Sequence, residues 1–384
     1  IVGGLAAAAR RGILIKGGVY LEEGRKLVWL ALDKTGTVTH GKPVQTEFEL
    51  RAGVDAIVCR RLAASLAGRS DHPVSQAVAQ AADRAALLAK ADLLTDMVGE
   101  FPELQGVMGG YYARHDGETE KVASAIEDHY RPRFAGDALP RQSCGVALAL
   151  ADKLETLAGL FGVGALPSGD KDPFALRRHA LGVIRMLIEC QLSVEAEALV
   201  HRAFAAFGPA HGQAQAELAL FLRERLVGYL RELGYSAQEV DAVLELRPPR
   251  WADLPKRLAA LRGFGALPEA PALAAANKRV GNILKKSDSA IGGEVRAALL
   301  VDPAERALHA DLQQVAARAG AAFDAGDLEA SLQALAALKT PVDAFFDQVM
   351  VNADDPALRA NRLALLSQLH AAMNRVADLS KLAA

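Results

Sequence analysis

The hydrophobic pattern changes character along the chain. Near the start, apolar residues come in short unbroken runs closed by turn residues. GILIKGG (12–18) and KLVWLAL (26–32) each read as a buried strand. From Asp55 to about Thr95 the period becomes helical. Val74, Val78, Ala81, Ala85 and Leu88 recur at spacings of four, three, four and three, which places them on one helix face. Beyond that point nearly every segment reads as helix, with breaks at GVGALPSGDKDP, FGPAHG, LRPPRWADLP, GFGALPEAP and NADDP.

Two breaks carry explicit helix-start signals. Asp172 is a suitable N-cap, with Pro173 expected at the first helical position. Asp355 and Pro356 repeat that arrangement ahead of the last helix. That helix is expected to present Leu358, Leu365, Leu369, Ala372, Val376 and Leu379 as one stripe. The pattern predicts a mostly α fold: a small incomplete α/β piece followed by a helical body.

Composition narrows this further. Half of the 384 residues are apolar and only 5% are aromatic, which suits helices packed on helices. The length allows two to three domains. A formal net charge of −2 forces no partner, so any nucleic-acid binding has to come from local basic faces. The three cysteines, Cys59, Cys144 and Cys190, are far apart. They offer no zinc or disulfide framework, and a reducing, cytoplasmic setting is the default. No apolar run reaches the ~18 residues of a membrane helix. The opening lacks both a cleavable-leader layout and a starting Met, so the chain reads as a fragment cut upstream.

The strand KLVWLAL runs directly into Asp-Lys-Thr-Gly-Thr. A carboxylate at the carboxyl end of a strand is placed where open α/β sheets bind ligands. Asp33 could attack a γ-phosphate and form an acyl phosphate. Lys34 would neutralise charge, and the hydroxyls of Thr35 and Thr37 would hold phosphoryl oxygens. Residues 1–83 resemble the heavy-metal branch of the P-type ATPases. LDKTGTVTHGKP resembles their phosphorylation signature, and SDHPVSQAV (70–78) resembles their nucleotide-domain motif. The resemblance implies that Asp33 is the phospho-acceptor, and that His72 and Pro73 lie near adenine. It also implies ATP and Mg²⁺ as cofactors of the parent enzyme. The membrane helices, the Thr-Gly-Glu motif and the second acidic Gly-Asp-Gly motif of such pumps are missing, since SGDKDP is not that motif. The expectation is an inactive stub.

From about Arg84 the resemblance is to a different family. AKADLLTDMVGEFPELQGVMGGYYARHDGE, GDKDPFALRRHALGVIRMLIE, LAAANKRVGNILKKSD and the block from FFDQVMVNADDPALR onward are similar to the bacterial glycyl-tRNA synthetase β subunit. This implies a degenerate HD-like helical domain (84–190), a helical linker or body (191–270) and an anticodon-binding, DALR-like bundle (271–384). It further implies tRNA-Gly and a catalytic α subunit as partners, with ATP consumed by the assembled enzyme. The two resemblances together suggest a chimera with its seam near residues 80–90. Residues 1–70 are expected to pack poorly, and the region from about Leu93 to be stably helical.

The residues supply their own argument for RNA. After Pro173, Leu176, Ala180, Val183 and Leu187 face one way, with Arg177, Arg178 and Arg185 beside them. Such a basic ridge suits phosphate contacts, and it equally suits a solvated helix face. NKRVGNILKK adds Lys278, Arg279, Lys285 and Lys286, and the last helix adds Arg359 and Arg362. His115-Asp116 with Asp152 invites comparison with a metal phosphohydrolase. The nearest upstream histidine, His72, belongs to the other stretch, so no metal is assigned. Three readings stay open: the tRNA-binding portion of a β subunit, a phosphoryl-transfer fragment, and a helical scaffold without a ligand.

Overall fold

The computed structural model describes residues 73–169, 171–207, 211–287 and 294–383, with side chains from Gln80 onward. The expected strands, and the motif around Asp33, lie outside the described residues. Among those described, the architecture is helical throughout, and the one β-type feature is an isolated bridge between Ser168 and Lys171.

The first helices form a small layer. They are α1 (Pro73–Leu88), the short α2 (Asp96–Glu100), α3 (Val107–His115), α4 (Glu120–Asp128) and α5 (Ser143–Gly162). Ala81, Ala85 and Leu88 do face inward on α1. The helix stops at Leu88 rather than near Thr95, because Lys90 turns into the left-handed region with φ 65°. Ala85, Ala113, Val122, Ala123, Ala125, Ile126, Cys144 and Leu148 build this core. Such small side chains require close approach. A Cβ at Gly109 would lie 2.8 Å from Ile126. The buried Asp92 accepts hydrogen bonds from the Gly106 (2.6 Å) and Gly109 (3.2 Å) amides, at the positive end of α3.

A second core joins α5, α6 (Leu176–Glu189), α7 (Ala196–Ala205) and α8 (Gln215–Glu232) through Leu157, Phe161, Val183, Leu187, Phe204 and Leu222. The third and largest runs through α8, α9 (Ala237–Leu244), α10 (Leu254–Gly265), α11 (Ala270–Lys285), α12 (Pro303–Asp324), α13 (Leu328–Ala334), α14 (Lys339–Gln348) and α15 (Pro356–Met373). Ile184 and Ile188 of α6 also belong to it, so α6 is buried on two sides. This core crosses residues 190 and 270 without interruption.

The helix-start signals divide. Asp355 caps α15, accepting from the Ala357 amide at 2.8 Å, with Pro356 in the first turn as expected. Asp172 also caps, but α6 begins at Leu176. A turn closes from the Ala175 amide to the Asp172 carbonyl, and Ala175 adopts φ 56°. The Asp172 carboxylate therefore reaches past Pro173 to the Leu176 (2.8 Å) and Arg177 (3.0 Å) amides. Pro173 is not in the helix. The last stripe is corrected as well. α15 ends at Met373, so Val376 and Leu379 are buried in the turn and 3₁₀ segment that follow. Residues 361–366 of α15 are buried all round.

Candidate nucleic-acid interface

Helix α11 is sharply two-sided. Leu273, Ala274, Asn277 and Val280 are buried. Asn277 and Asn374 exchange a reciprocal pair of amide hydrogen bonds at 2.8 and 3.1 Å, which fixes the rotation of α11 against the end of α15. That fixed rotation turns Lys278, Arg279, Lys285 and Lys286 outward, and all four are exposed. Ala275, Lys278, Arg279, Asn282, Ile283 and Lys286 line a shallow open hollow of about 340 Å³ along this face. The Arg279 guanidinium lies 4.2 Å from the ring centre of half-buried Phe346 on α14, so an aromatic ring stiffens one of the cations. Among the described residues, no carboxylate pairs with Lys278, Lys285 or Lys286. The charges are free to meet an outside anion. Lys285 and Lys286 also sit at the carboxyl end of α11, where its dipole favours cations.

The basic residues of α6 fare differently. Arg178 is exposed, while half-buried Arg177 donates to the Gly169 carbonyl. Arg185 faces inward: it is buried, pairs with Glu189 at 2.6 Å and donates to the Asp137 carbonyl at 2.8 Å. The expected ridge of three arginines is thus not continuous, because α6 lies between two cores. Arg362 is a second correction. It is buried against fully buried Glu305 and donates to the Met350 carbonyl, so it offers no charge to a surface ligand. Arg359 is half-buried, with a 3.3 Å bond to the Ala353 carbonyl.

His115 and Asp116 hydrogen-bond to each other at the surface, at 3.2 Å. Asp152 is paired with Lys90 instead. Among the described residues, no three imidazole, thiol or carboxylate groups converge to hold a metal ion. Asp33, Lys34, Thr35, Thr37 and His72 lie outside the described residues. Pro73 opens α1. Sequence reasoning missed Phe346 beside Arg279, because the two are 67 positions apart and no local signal links them.

Comparison with known proteins places these features. Residues 56–245 match the family model for the glycyl-tRNA synthetase beta subunit, and residues 273–382 match that for the DALR anticodon binding domain. The glycine--tRNA ligase beta subunit of Thiobacillus denitrificans is 69% identical over 310 residues, covering 80% of this chain and 44% of that protein. Those of Leptothrix cholodnii and Dechloromonas aromatica are 67% identical over 301 residues and 62% identical over 331, covering 78% and 86% of this chain and 42% and 46% of those proteins. Over these ranges the chain is similar to glycyl-tRNA synthetase β subunits. The chain spans less than half the length of these curated relatives. The first match begins at residue 56, so residues 56–83, including His72 and Pro73, fall within the β-subunit range and not only within the ATPase-like stretch. The α11 face lies inside the DALR match. No helix among the described residues is long and apolar enough to cross a membrane.

Proposed function

We propose that this chain is the tRNA-binding portion of a glycyl-tRNA synthetase β subunit. It would support ATP-dependent glycylation of tRNA-Gly together with a catalytic α subunit. The observation that carries this reading is the outer face of α11. It is exposed, cationic and free of acidic partners among the described residues, and it lies within the stretch similar to an anticodon-binding domain. Lys278, Arg279, Lys285 and Lys286 would contact backbone phosphates, with Arg178 and Arg359 as outlying contacts. Counterion release would drive much of the affinity, so binding should weaken steeply with salt. Filter binding with tRNA-Gly and a random RNA of equal length tests this. The expected result is preferential retention of tRNA-Gly, and equal retention would overturn it.

For residues 1–55, upstream of both matched ranges, we propose a separate origin on the strength of the Asp-Lys-Thr-Gly-Thr motif. Asp33 would be the phospho-acceptor, with Lys34, Thr35 and Thr37 around it. Acid-stable, hydroxylamine-sensitive label from γ-labelled ATP that disappears in Asp33→Asn would support it. A chain that takes no label would retire Asp33 as a phospho-acceptor and match the inactive stub expected from the missing motifs.

A further inference from the structure

Lys153, on α5, is an unusual lysine. Its residue is only 3% exposed, and its ammonium meets the Tyr130 carbonyl at 3.2 Å. No carboxylate among the described residues forms an ion pair with it, whereas buried charges are ordinarily paired. Glycine at 182 makes room for its stem, since a Cβ there would lie 2.6 Å from the lysine Cε.

Groups without partners lie on the elements packed against α5, at the end of α4 and on α6. His129 is fully buried, and its Nδ1 lies 2.6 Å from the Ile126 carbonyl. That contact places the proton on Nδ1 and leaves Nε2 without a partner. The Tyr130 hydroxyl and His179 Nδ1 also lack partners, and the His129 and Tyr130 rings are 3.9 Å apart, centre to centre. Both imidazoles feel the charges of Lys153, Asp152 and Lys90, and burial holds both below the usual histidine range. The same burial lowers Lys153 to about 8. Of the nearby carboxylates, Asp152 pairs with Lys90, while Asp92 accepts through Oδ2 from the amino end of α3 and keeps Oδ1 without a partner. Lys90 keeps that position at a left-handed backbone angle that a lysine rarely adopts. Its side chain is 45% exposed where it meets Asp152, the neighbour of Lys153.

We propose that Lys153, Lys90, His129, Tyr130 and His179 form a binding site for a phosphate group, either free or within an RNA backbone. The two ammonium groups would donate to its oxygens, and the phenol and the imidazoles would complete the shell. This site is separate from the α11 face and stands or falls independently of it.

The test follows the imidazole signals of His129 and His179 by NMR in the full chain. One arm titrates inorganic phosphate and the other a short RNA oligonucleotide. Saturable shifts of both imidazoles are expected, with affinity at least about tenfold weaker in Lys153→Met and in Lys90→Asn, where asparagine suits the left-handed backbone. If the oligonucleotide shifts the same signals at lower concentration, the ligand is backbone phosphate; if it is inert, the ligand is free phosphate. No shift in either arm overturns the proposal, as does a shift that Lys90→Asn leaves unchanged.

Discussion

The two ends of the described chain bury polar groups in opposite ways. In the C-terminal region each buried polar side chain is answered from within. Asn277 pairs with Asn374, Glu305 with Arg362, Ser331 with the Ala319 carbonyl, and Asn361 with both the amide and carbonyl of Arg296. Large aliphatic and aromatic residues such as Phe264, Phe345, Leu308 and Leu366 fill the space between them. The α1–α5 region has a core of alanine and small aliphatics, and leaves Asp92 Oδ1, His129 Nε2 and the Tyr130 hydroxyl without partners. It also exposes Leu87, Leu94, Phe101 and Tyr111. One region answers its fully buried polar residues from within, although the half-buried Arg257 and His309 keep Nε and Nδ1 without partners. The other leaves buried groups that its own contacts do not answer.

The sharpest way to break this contrast is to hollow the C-terminal core. Phe345→Ala should destabilise by about 3–5 kcal/mol, the range for a fully buried phenylalanine, read as a lower midpoint in denaturant unfolding. A loss below about 1 kcal/mol would mean that this core is loosely packed. Next in size is Asp128→Ala in the α1–α5 region. That carboxylate is fully buried, accepts from the Arg141 backbone amide at 2.9 Å and pairs with Arg131 and Arg141. Removing it should cost about 2–3 kcal/mol. Hydrogen exchange should quicken in α3–α5 and stay unchanged in α11–α15.

The two regions also differ in how much the sequence disclosed. The Asp355-Pro356 start of α15 was legible because a cap and a proline act locally. The basic residues of α11 were legible as a run of lysine and arginine and through the family resemblance, whereas the side they face is set by the burial of Leu273, Ala274, Asn277 and Val280. Arg185 and Arg362 were not. Periodicity locates a residue relative to an apolar stripe, but it does not say whether a second element covers the opposite side. α6 is covered twice, by the second and third cores, and Glu305 arrives at Arg362 from 57 positions away. The Lys153 cluster was invisible for the same reason, since its members come from the end of α1, the end of α4, α5 and α6. Polar residues buried together read in sequence as surface.

A third prediction moves from stability to binding. Lys278→Glu with Lys286→Glu should weaken tRNA-Gly binding about tenfold or more and flatten its salt dependence. Unfolding should stay within about 0.5 kcal/mol of the parent, because both residues are exposed and unpaired among the described residues. An affinity unchanged by reversing both charges would remove α11 from the interface.

The smallest effect concerns pH. Arg262 bonds Glu239 at 2.7 and 2.9 Å, and that contact, with the Ser236 amide, holds the carboxyl down to about 2. A depressed carboxylate stabilises the fold above its unfolded pKa, and that contribution is lost as pH falls towards its folded value. The loss should therefore fall between about pH 4.5 and about pH 2. Arg262 is half exposed, so solvent screening keeps the effect small. Glu239→Gln should remove this part of the acid slope, and an identical slope in the variant would show that the pair adds nothing.

The most direct test of the functional reading is a photo-crosslinker at Asn282, in the middle of the α11 hollow, with the crosslinks mapped on bound tRNA-Gly. The reading predicts adducts concentrated in the anticodon arm and suppressed by Lys278→Glu with Lys286→Glu. Adducts confined to another part of the tRNA, or none on a tRNA that is demonstrably bound, would contradict it.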